Sequence, residues 1–199
     1  MTRVLYCSDL HLGHRLMCTT RGFATIEEHD ETVISNWNRT VAADDIVWLL
    51  GDVSLRWDDK LRWKLGRLNG TKHLIAGNHD AVFPGHRDAY RNQAQWIGEG
   101  MFASIQAYAR RKSAGREFLM SHFPYRGDHI EGRPDRSVQY RLRDEGLWLV
   151  HGHLHSKDKV TGPRQVHIGL DAWDLRPVPE EEVIALMGKG NGKDNGKAV

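Results

Sequence analysis

Five short apolar segments of this chain each run directly into acidic, amide or imidazole side chains. The polar clusters that follow them are SDLH at 8–11, GD at 51–52, GNHD at 77–80, SH at 121–122 and HGHLH at 151–155. Short apolar runs rich in β-branched and aromatic residues predict buried strands. In α/β proteins the carboxyl ends of strands hold the ligand-binding groups. Five such ends in one chain therefore predict that the clusters meet at a single site.

The last cluster places histidines at alternate positions, 151, 153 and 155. In an extended strand these side chains point the same way, and convergent neutral imidazoles favour a metal ion. The alternative is a set of ordinary loop histidines, and the other four clusters argue against it. The combined donors are carboxylates, an amide and imidazoles, which suit Mn²⁺, Fe or Zn²⁺. They exceed the needs of one ion, so we expect two ions that share a bridging carboxylate, an arrangement that serves phosphoryl chemistry.

The order of the predicted elements favours an α/β fold. Strands are expected at 3–7, 45–50, 72–76, 147–150 and 164–169, with two neighbouring strands in 101–121 joined by KSAG. Helices are expected at 25–41, 57–69, 86–95 and 134–145, and a helix or a helix–strand edge at 179–187. Strands that alternate with helices, followed by strand-rich sequence, predict two sheets packed face to face with helices outside. The tail at 188–199, rich in Gly, Lys and Asn, has no apolar pattern and is expected to be a flexible appendage.

Composition restricts the class of protein. A length of 199 residues suits one domain, and a net charge of +2 does not indicate a polycation that binds nucleic acid through bulk charge. Two cysteines, Cys7 and Cys18, are too few for a disulfide scaffold and fit a reducing compartment. No apolar run is long enough for a signal peptide or a membrane span. We therefore expect a cytoplasmic protein without a membrane partner.

The order of the motifs resembles that of the calcineurin-like metallophosphoesterases, the binuclear metallophosphatase superfamily. The matching residues are Asp9-Leu10-His11, Gly51-Asp52, Gly77-Asn78-His79-Asp80, Ser121-His122 and Gly152-His153-Leu154-His155. The resemblance spans residues 4 to about 187 and so implies one domain over 1–187. It also implies the fold of that superfamily, a four-layer αββα sandwich of two mixed β-sheets flanked by helices.

The resemblance implies a role for each matching residue. The implied ligands are Asp9, His11 and His155 for one metal, and Asn78, His122 and His153 for the other, with Asp52 as the bridge. His79 would face the substrate, where it protonates the leaving oxygen or steadies the phosphate, and Asp80 would orient it. The implied cofactor is a pair of divalent ions, with Mn²⁺ favoured and Fe, Zn²⁺ or Ni²⁺ as alternatives. His151 would be a bystander beside the ligands.

Other polar residues near the motifs leave alternatives open. His14 and Arg15 could contact the substrate or belong to a solvated loop. Residues 110–143 contain nine basic and four acidic side chains around His122, which would attract a phosphorylated substrate, and Arg126 and Arg141 are the candidates there. A surface charge run is the alternative. For His167 and Asp171, which follow the last predicted strand, a structural use is expected.

The function that follows is hydrolysis of small phosphodiesters by a hydroxide that bridges the two metals. Short bacterial and phage-like members of the superfamily often act on diesters such as 2′,3′-cyclic nucleotides, and we favour that class by analogy. A phosphomonoesterase and a metal-dependent nuclease of the same superfamily are alternatives. The nuclease would favour a long basic groove, and the near-neutral chain argues against it. A non-catalytic binding scaffold would lack ligands or His79, and none is missing.

Overall fold

Ten strands form two five-stranded sheets in the part of the chain that the structure, a computed structural model, describes, residues 2–128 and 134–188. The strands are β1 (Val4–Cys7), β2 (Ile46–Leu49), β3 (Thr71–Ile75), β4 (Ser104–Gln106), β5 (Tyr108–Ser113), β6 (Arg116–Ser121), β7 (Trp148–His151), β8 (Val160–Gly162), β9 (Gln165–His167) and β10 (Val178–Pro179). The predicted tail lies outside the described residues from position 189 onward.

The two sheets are both mixed. The first has the order β10-β1-β2-β3-β4, in which β1 to β4 run parallel and β10 is antiparallel to β1. The second has the order β5-β6-β7-β9-β8, in which β6, β7 and β9 run parallel. The outer strands β5 and β8 pair antiparallel with β6 and β9. Because β1, β2 and β3 are parallel neighbours, and β6 and β7 likewise, the five polar clusters follow strand ends at the same edges.

Side chains alternate between two hydrophobic cores, as the period of two along a strand requires. Leu5 and Cys7 of β1 face the core formed with the helices, which includes Trp37 and Leu65. Tyr6, between them, faces the core that lies between the two sheets. The expectation of two mixed sheets packed face to face and flanked by helices is confirmed.

Five α-helices accompany the sheets within the described ranges. They are α1 (Arg15–Thr20), α2 (Ile26–Thr40), α3 (Asp59–Gly66), α4 (Ala89–Gly98) and α5 (Glu180–Leu186). The predicted capping box is present at α2, where the Thr25 hydroxyl accepts a hydrogen bond from the Glu28 N–H at 3.1 Å. Asp58 caps α3 in the same way through the Leu61 N–H, at 2.8 Å.

Several short elements differ from the prediction. Helix α1 and strands β8 and β10 were not expected, because six, three and two residues are too few to show a period in sequence. The helix expected at 134–145 is reduced to one 3₁₀ turn, Val138–Tyr140. The segment 101–121 holds three strands rather than two, since the chain passes from the first sheet to the second between β4 and β5. None of the helices in the described ranges is long and apolar enough to cross a membrane.

Candidate metal centre

Two groups of side chains converge where the strand ends of both sheets meet. One group is Asp9, His11 and His155, and the other is Asp52, His122 and His153. In each group one ligand atom from every residue lies within 4.8 Å of the others. Asp52 Oδ2 lies 3.7 Å from His11 Nε2 and 3.4 Å from His122 Nε2, so its carboxylate stands between the groups.

The backbone of this region is turned rather than extended. Five of the seven predicted ligands have left-handed φ angles: Asp9 at 61°, His11 at 49°, Asp52 at 54°, His153 at 73° and His155 at 51°. Each such conformation costs on the order of 1–3 kcal/mol, and such residues concentrate at functional sites. The strand β7 ends at His151, so the extended geometry assumed for the three histidines does not hold. The turns direct His153 and His155 to different groups.

A glycine makes this convergence possible. A Cβ at Gly152 would overlap Ser8 Oγ and come within 2.8 Å of Asp9 Oδ2. The loop after β7 can therefore approach the loop after β1 only because position 152 has no side chain.

The donor atoms fit divalent cations. His11 Nε2 faces His155 Nε2 at 3.2 Å, and His122 Nε2 faces His153 Nδ1 at 3.2 Å. Asn78 Oδ1 is buried and has no hydrogen-bond partner among the described residues. Asp9 and Asp52 are 0% and 1% exposed, so two negative charges are buried among imidazoles. Buried charges require compensation, and nitrogen and oxygen donors in this number suit two ions.

The titration of the metal-free site follows from the same arrangement. Burial lowers the pKa of His11 to about 3, which leaves the imidazole neutral, the form that binds metal. Burial acts in the same direction on His122, but the neighbouring Asp52 carboxylate outweighs it and raises the pKa of His122 to about 9. Without metal, a proton on His122 thus compensates part of the charge of Asp52.

A carboxylate accepts a hydrogen bond from each histidine of the GHLH motif. Asp171 Oδ2 accepts a hydrogen bond from His155 Nδ1 at 3.0 Å. Arg21 donates two hydrogen bonds of 2.9 Å to the Asp171 carboxylate. Asp128 Oδ2 accepts from His153 Nε2 at 2.8 Å and pairs with Arg136. Such carboxylates fix the tautomer and direction of a metal-binding imidazole.

Sequence reasoning missed these positioning carboxylates. The sequence predicts a structural use for Asp171. However, Asp171 follows β9, the strand beside β7, so the expectation that site residues follow strand ends applies to it as well. Asp128 lies in a loop after β6, seven residues from Ser121, and no local pattern marks it. His151 belongs to neither donor group. Its ring is buried and bonds to Thr161 Oγ1 at 2.7 Å and to the Gly152 carbonyl at 2.8 Å.

Asp80 holds the backbone instead of the His79 ring. Its Oδ2 accepts hydrogen bonds from the N–H groups of Asp52 and Gly77 at 3.0 and 2.9 Å, and its Oδ1 accepts from the Val53 N–H at 2.8 Å. These bonds join the loops after β2 and β3, the two loops that provide Asp52 and Asn78. The orienting role that the resemblance implied for Asp80 therefore acts on the loops.

His79 and His14 border the open side of the centre. The His79 side chain is 42% exposed, and its Nε2 lies 3.9 Å from Asp52 Oδ2. Its ring centroid is 5.6 Å from that of His11 and 6.3 Å from that of His14. The His79 N–H donates to Asp52 Oδ1 at 2.9 Å, which ties its position to the carboxylate between the groups. The two imidazoles thus lie beside His11 and the Asp52 carboxylate.

Some of the predicted cationic residues are exposed, and others pair with acidic side chains. Arg15 and Arg126 are exposed. Arg141 is only 6% exposed, pairs with Asp135 at 2.7 Å and donates to the Gly127 carbonyl, so its guanidinium supports the local fold. Four more basic residues of the segment 110–143 have acidic partners: Arg110, Arg111, Arg136 and Arg143. Arg133 and Glu131 of this segment lie outside the described residues. Five of the nine basic residues of the segment thus have acidic partners among the described residues.

Comparisons with known proteins concern the family and the fold of this chain. The sequence profile of the calcineurin-like phosphoesterase family matches residues 2–157. The gene 66 protein of Mycobacterium phage D29 is 42% identical over 191 residues, which cover 90% of this chain and 94% of the phage protein. The gene 66 protein of Mycobacterium phage L5 is 39% identical, with 94% and 95% covered. A crystal structure of a protein of unknown function from Aquifex aeolicus shares the fold, with a TM-score of 0.70 at 21% identity over 94% of this chain and all of that one.

Proposed function

This chain belongs to the calcineurin-like phosphoesterase family and is a metal-dependent phosphoester hydrolase, and we propose that it cleaves phosphodiesters of small substrates, nucleotides among them. The observation that supports this function is the pair of donor groups separated by Asp52, with His79 on the open side. We assign Asp9, His11 and His155 to one ion, and Asn78, His122 and His153 to the other. Mn²⁺ is the ion we propose.

The metals supply one part of the chemistry. Two bound divalent ions lower the pKa of water and compensate the charge of the phosphate. Asp52, which lies between the two donor groups, would contact both ions, and Asp171 and Asp128 hold the imidazoles of His155 and His153 in place. Ligands held in this way before the substrate binds would limit the rearrangement that the reaction requires.

His79 supplies the proton for the leaving group. An alkoxide leaves poorly unless it is protonated, and a positioned general acid contributes roughly 10²–10⁴-fold. The His79 ring is exposed to the space beside Asp52, so its Nε2 can donate to an oxygen of the bound ester. His14 stands on the same side and can bond a non-bridging phosphate oxygen.

The preference for diesters rests on space and charge. A diester has one negative charge and two organic groups, so it needs room on both sides of phosphorus more than additional cations. Imidazoles border the open side, and a cavity that has room for an organic group begins beside His14. The arrangement supports the diester over the monoester on these grounds.

Hydrolysis of two chromogenic substrates tests the proposal. The Mn²⁺-loaded protein should hydrolyse bis-p-nitrophenyl phosphate with a higher kcat/KM than p-nitrophenyl phosphate, and Asp52→Asn should abolish both activities. His73→Ala is the matched control, because His73 lies on β3 and bonds to Ser104 instead of the centre. A preference for the monoester would refute the diester assignment, and preferential cleavage of single-stranded DNA would identify a nuclease.

A further inference from the structure

A cavity of about 800 Å³ adjoins the metal centre. It lies between the start of α1, the start of α2 and the segment from the β2–α3 loop into α3. His14 belongs to its lining, and the His14 ring is 5.2 Å from the His11 ring. The lining also includes Leu12 and Ser54, which closely follow His11 and Asp52 and are joined by a 2.9 Å hydrogen bond. We call this space the His14 cavity. A group attached to a phosphate at the metals would enter it directly.

Three of the four Arg and Lys side chains that line the His14 cavity have no acidic partner among the described residues. The side chains of Arg15, Arg56 and Lys60 make no hydrogen bond or ion pair with any described residue. The fourth cation, Lys64, is bound to Asp30 at 2.5 Å. Two acids share the lining. Asp58 is engaged as the cap of α3, and Glu27 stands in the first turn of α2.

The charges that line the His14 cavity therefore favour the binding of an anion. Elsewhere in the described structure many arginines have carboxylate partners, such as Arg67 with Glu31 and Arg164 with Asp144. Unpaired cations collected around one concave space attract a charged ligand and raise its local concentration. Arginine in particular suits the oxygens of a phosphate.

The same cavity has an apolar surface. Leu16 and Leu55 are 67% and 49% exposed. Both line the His14 cavity, with Leu12 and Leu61 beneath them. Concave sites of several hundred Å³ that combine an apolar lining with a few polar groups are typical of small-molecule binding. The ligand should thus have an apolar body as well as an anionic group.

We infer that the His14 cavity binds the substrate beyond the scissile phosphate, and that this part is a nucleoside carrying a second phosphate. The inference rests on the proposed function, because it assumes that the scissile diester lies at the metals. The base and sugar would contact Leu16 and Leu55. The second phosphate would contact Arg15, Arg56 and Lys60. Free nucleotides and the end of a nucleic acid strand share this chemistry.

Two chromogenic diesters isolate the second phosphate. They are the 5′-(p-nitrophenyl phosphate) ester of thymidine and the same ester bearing a 3′-phosphate, which release the same leaving group. We expect the 3′-phosphate to raise kcat/KM by roughly tenfold, through KM. In Arg56→Ala/Lys60→Ala that advantage should fall to within about a factor of two. Lys112→Ala, an exposed lysine of β5 outside the cavity lining, is the matched control and should keep the full advantage.

The outcomes separate the inference from the proposed function. If both esters are hydrolysed alike, or if the double variant keeps the advantage, the inference is overturned while the proposed function stands. If neither ester is hydrolysed, the proposed function fails, and calorimetric binding of thymidine 3′,5′-bisphosphate to the wild type and the double variant decides the inference. Equal binding would overturn it, and weaker binding by the variant would support it. A short single-stranded DNA that competes more tightly than the bisphosphate identifies a strand end as the source.

Discussion

Replacing Asp171 by asparagine should weaken the binding of one metal ion and leave the other in place. Asp171 touches only one ligand histidine, His155, through its Nδ1 at 3.0 Å. The Asn side chain keeps the size of the carboxylate but not its charge. His155 then loses the group that fixes its tautomer, and Arg21 loses its ion-pair partner.

The magnitude follows from burial. Removing a carboxylate behind a metal-binding histidine typically costs about 10–100-fold in metal affinity, or ~1.4–2.8 kcal/mol. We expect Asp171→Asn near the upper end, because Arg21 is only 3% exposed and its charge would be left buried without compensation. Asp128→Asn should act on the other ion, through His153. Its effect should be nearer the lower end, because Arg136 is 59% exposed and can be solvated.

Calorimetric titration of the metal-free protein with Mn²⁺ measures both affinities. A second substitution assigns the ions: in a His155→Ala background Asp171→Asn should add almost nothing, whereas Asp128→Asn should still act in full. Asp144→Asn is the matched control, since Asp144 also pairs with an arginine, Arg164, at 2.8 Å but has no histidine contact. The assignment of Asp171 and Asp128 to different ions is refuted if both substitutions weaken the same ion, or if the control lowers metal affinity as much as they do.

Three further substitutions test other parts of the account. His79→Ala should retain both metals and lose roughly 10²–10⁴-fold in turnover of nucleotide diesters. The loss on nitrophenyl esters should be much smaller, because their leaving group departs unprotonated. Equal losses on both substrates would indicate that His79 binds phosphate instead. Asp80→Asn should lower the free energy of unfolding of the metal-free protein by ~1–3 kcal/mol, measured in denaturant, because three backbone N–H groups share its oxygens; an unchanged stability would show that these bonds do not hold the loops. Gly152→Ala should cost about 1–3 kcal/mol through overlap with Ser8 and reduce metal content in elemental analysis; normal stability with normal metal content would contradict the close approach described.

The main strands and the polar clusters that follow them could be predicted because each depends on local sequence. A buried strand needs only a short apolar run, and its carboxyl end is where the chain leaves the core. Asp9 and Asp52 stand directly after such runs. The capping box at α2 was likewise visible, since Thr25 and Glu28 interact within a single turn.

The contacts that complete the site depend on distances along the chain that no local pattern records. Arg21 meets Asp171 across 150 positions, and both reach His155 only because β9 lies beside β7. The left-handed φ angles at His153 and His155 could not be predicted either, because the sequence pattern indicates a strand that continues through both residues. Arg141 differs in the opposite way, because its charge indicates substrate binding whereas its side chain is buried beside Asp135.

The metal content of the wild-type protein tests the central claim most directly. Protein stripped with a chelator, reloaded with Mn²⁺ and freed of excess ion by gel filtration should contain about two ions per chain by elemental analysis. Asp52→Asn should lose more metal than a substitution of any single histidine, because its carboxylate lies between the two groups. A wild-type content that never exceeds one ion per chain would contradict the binuclear centre.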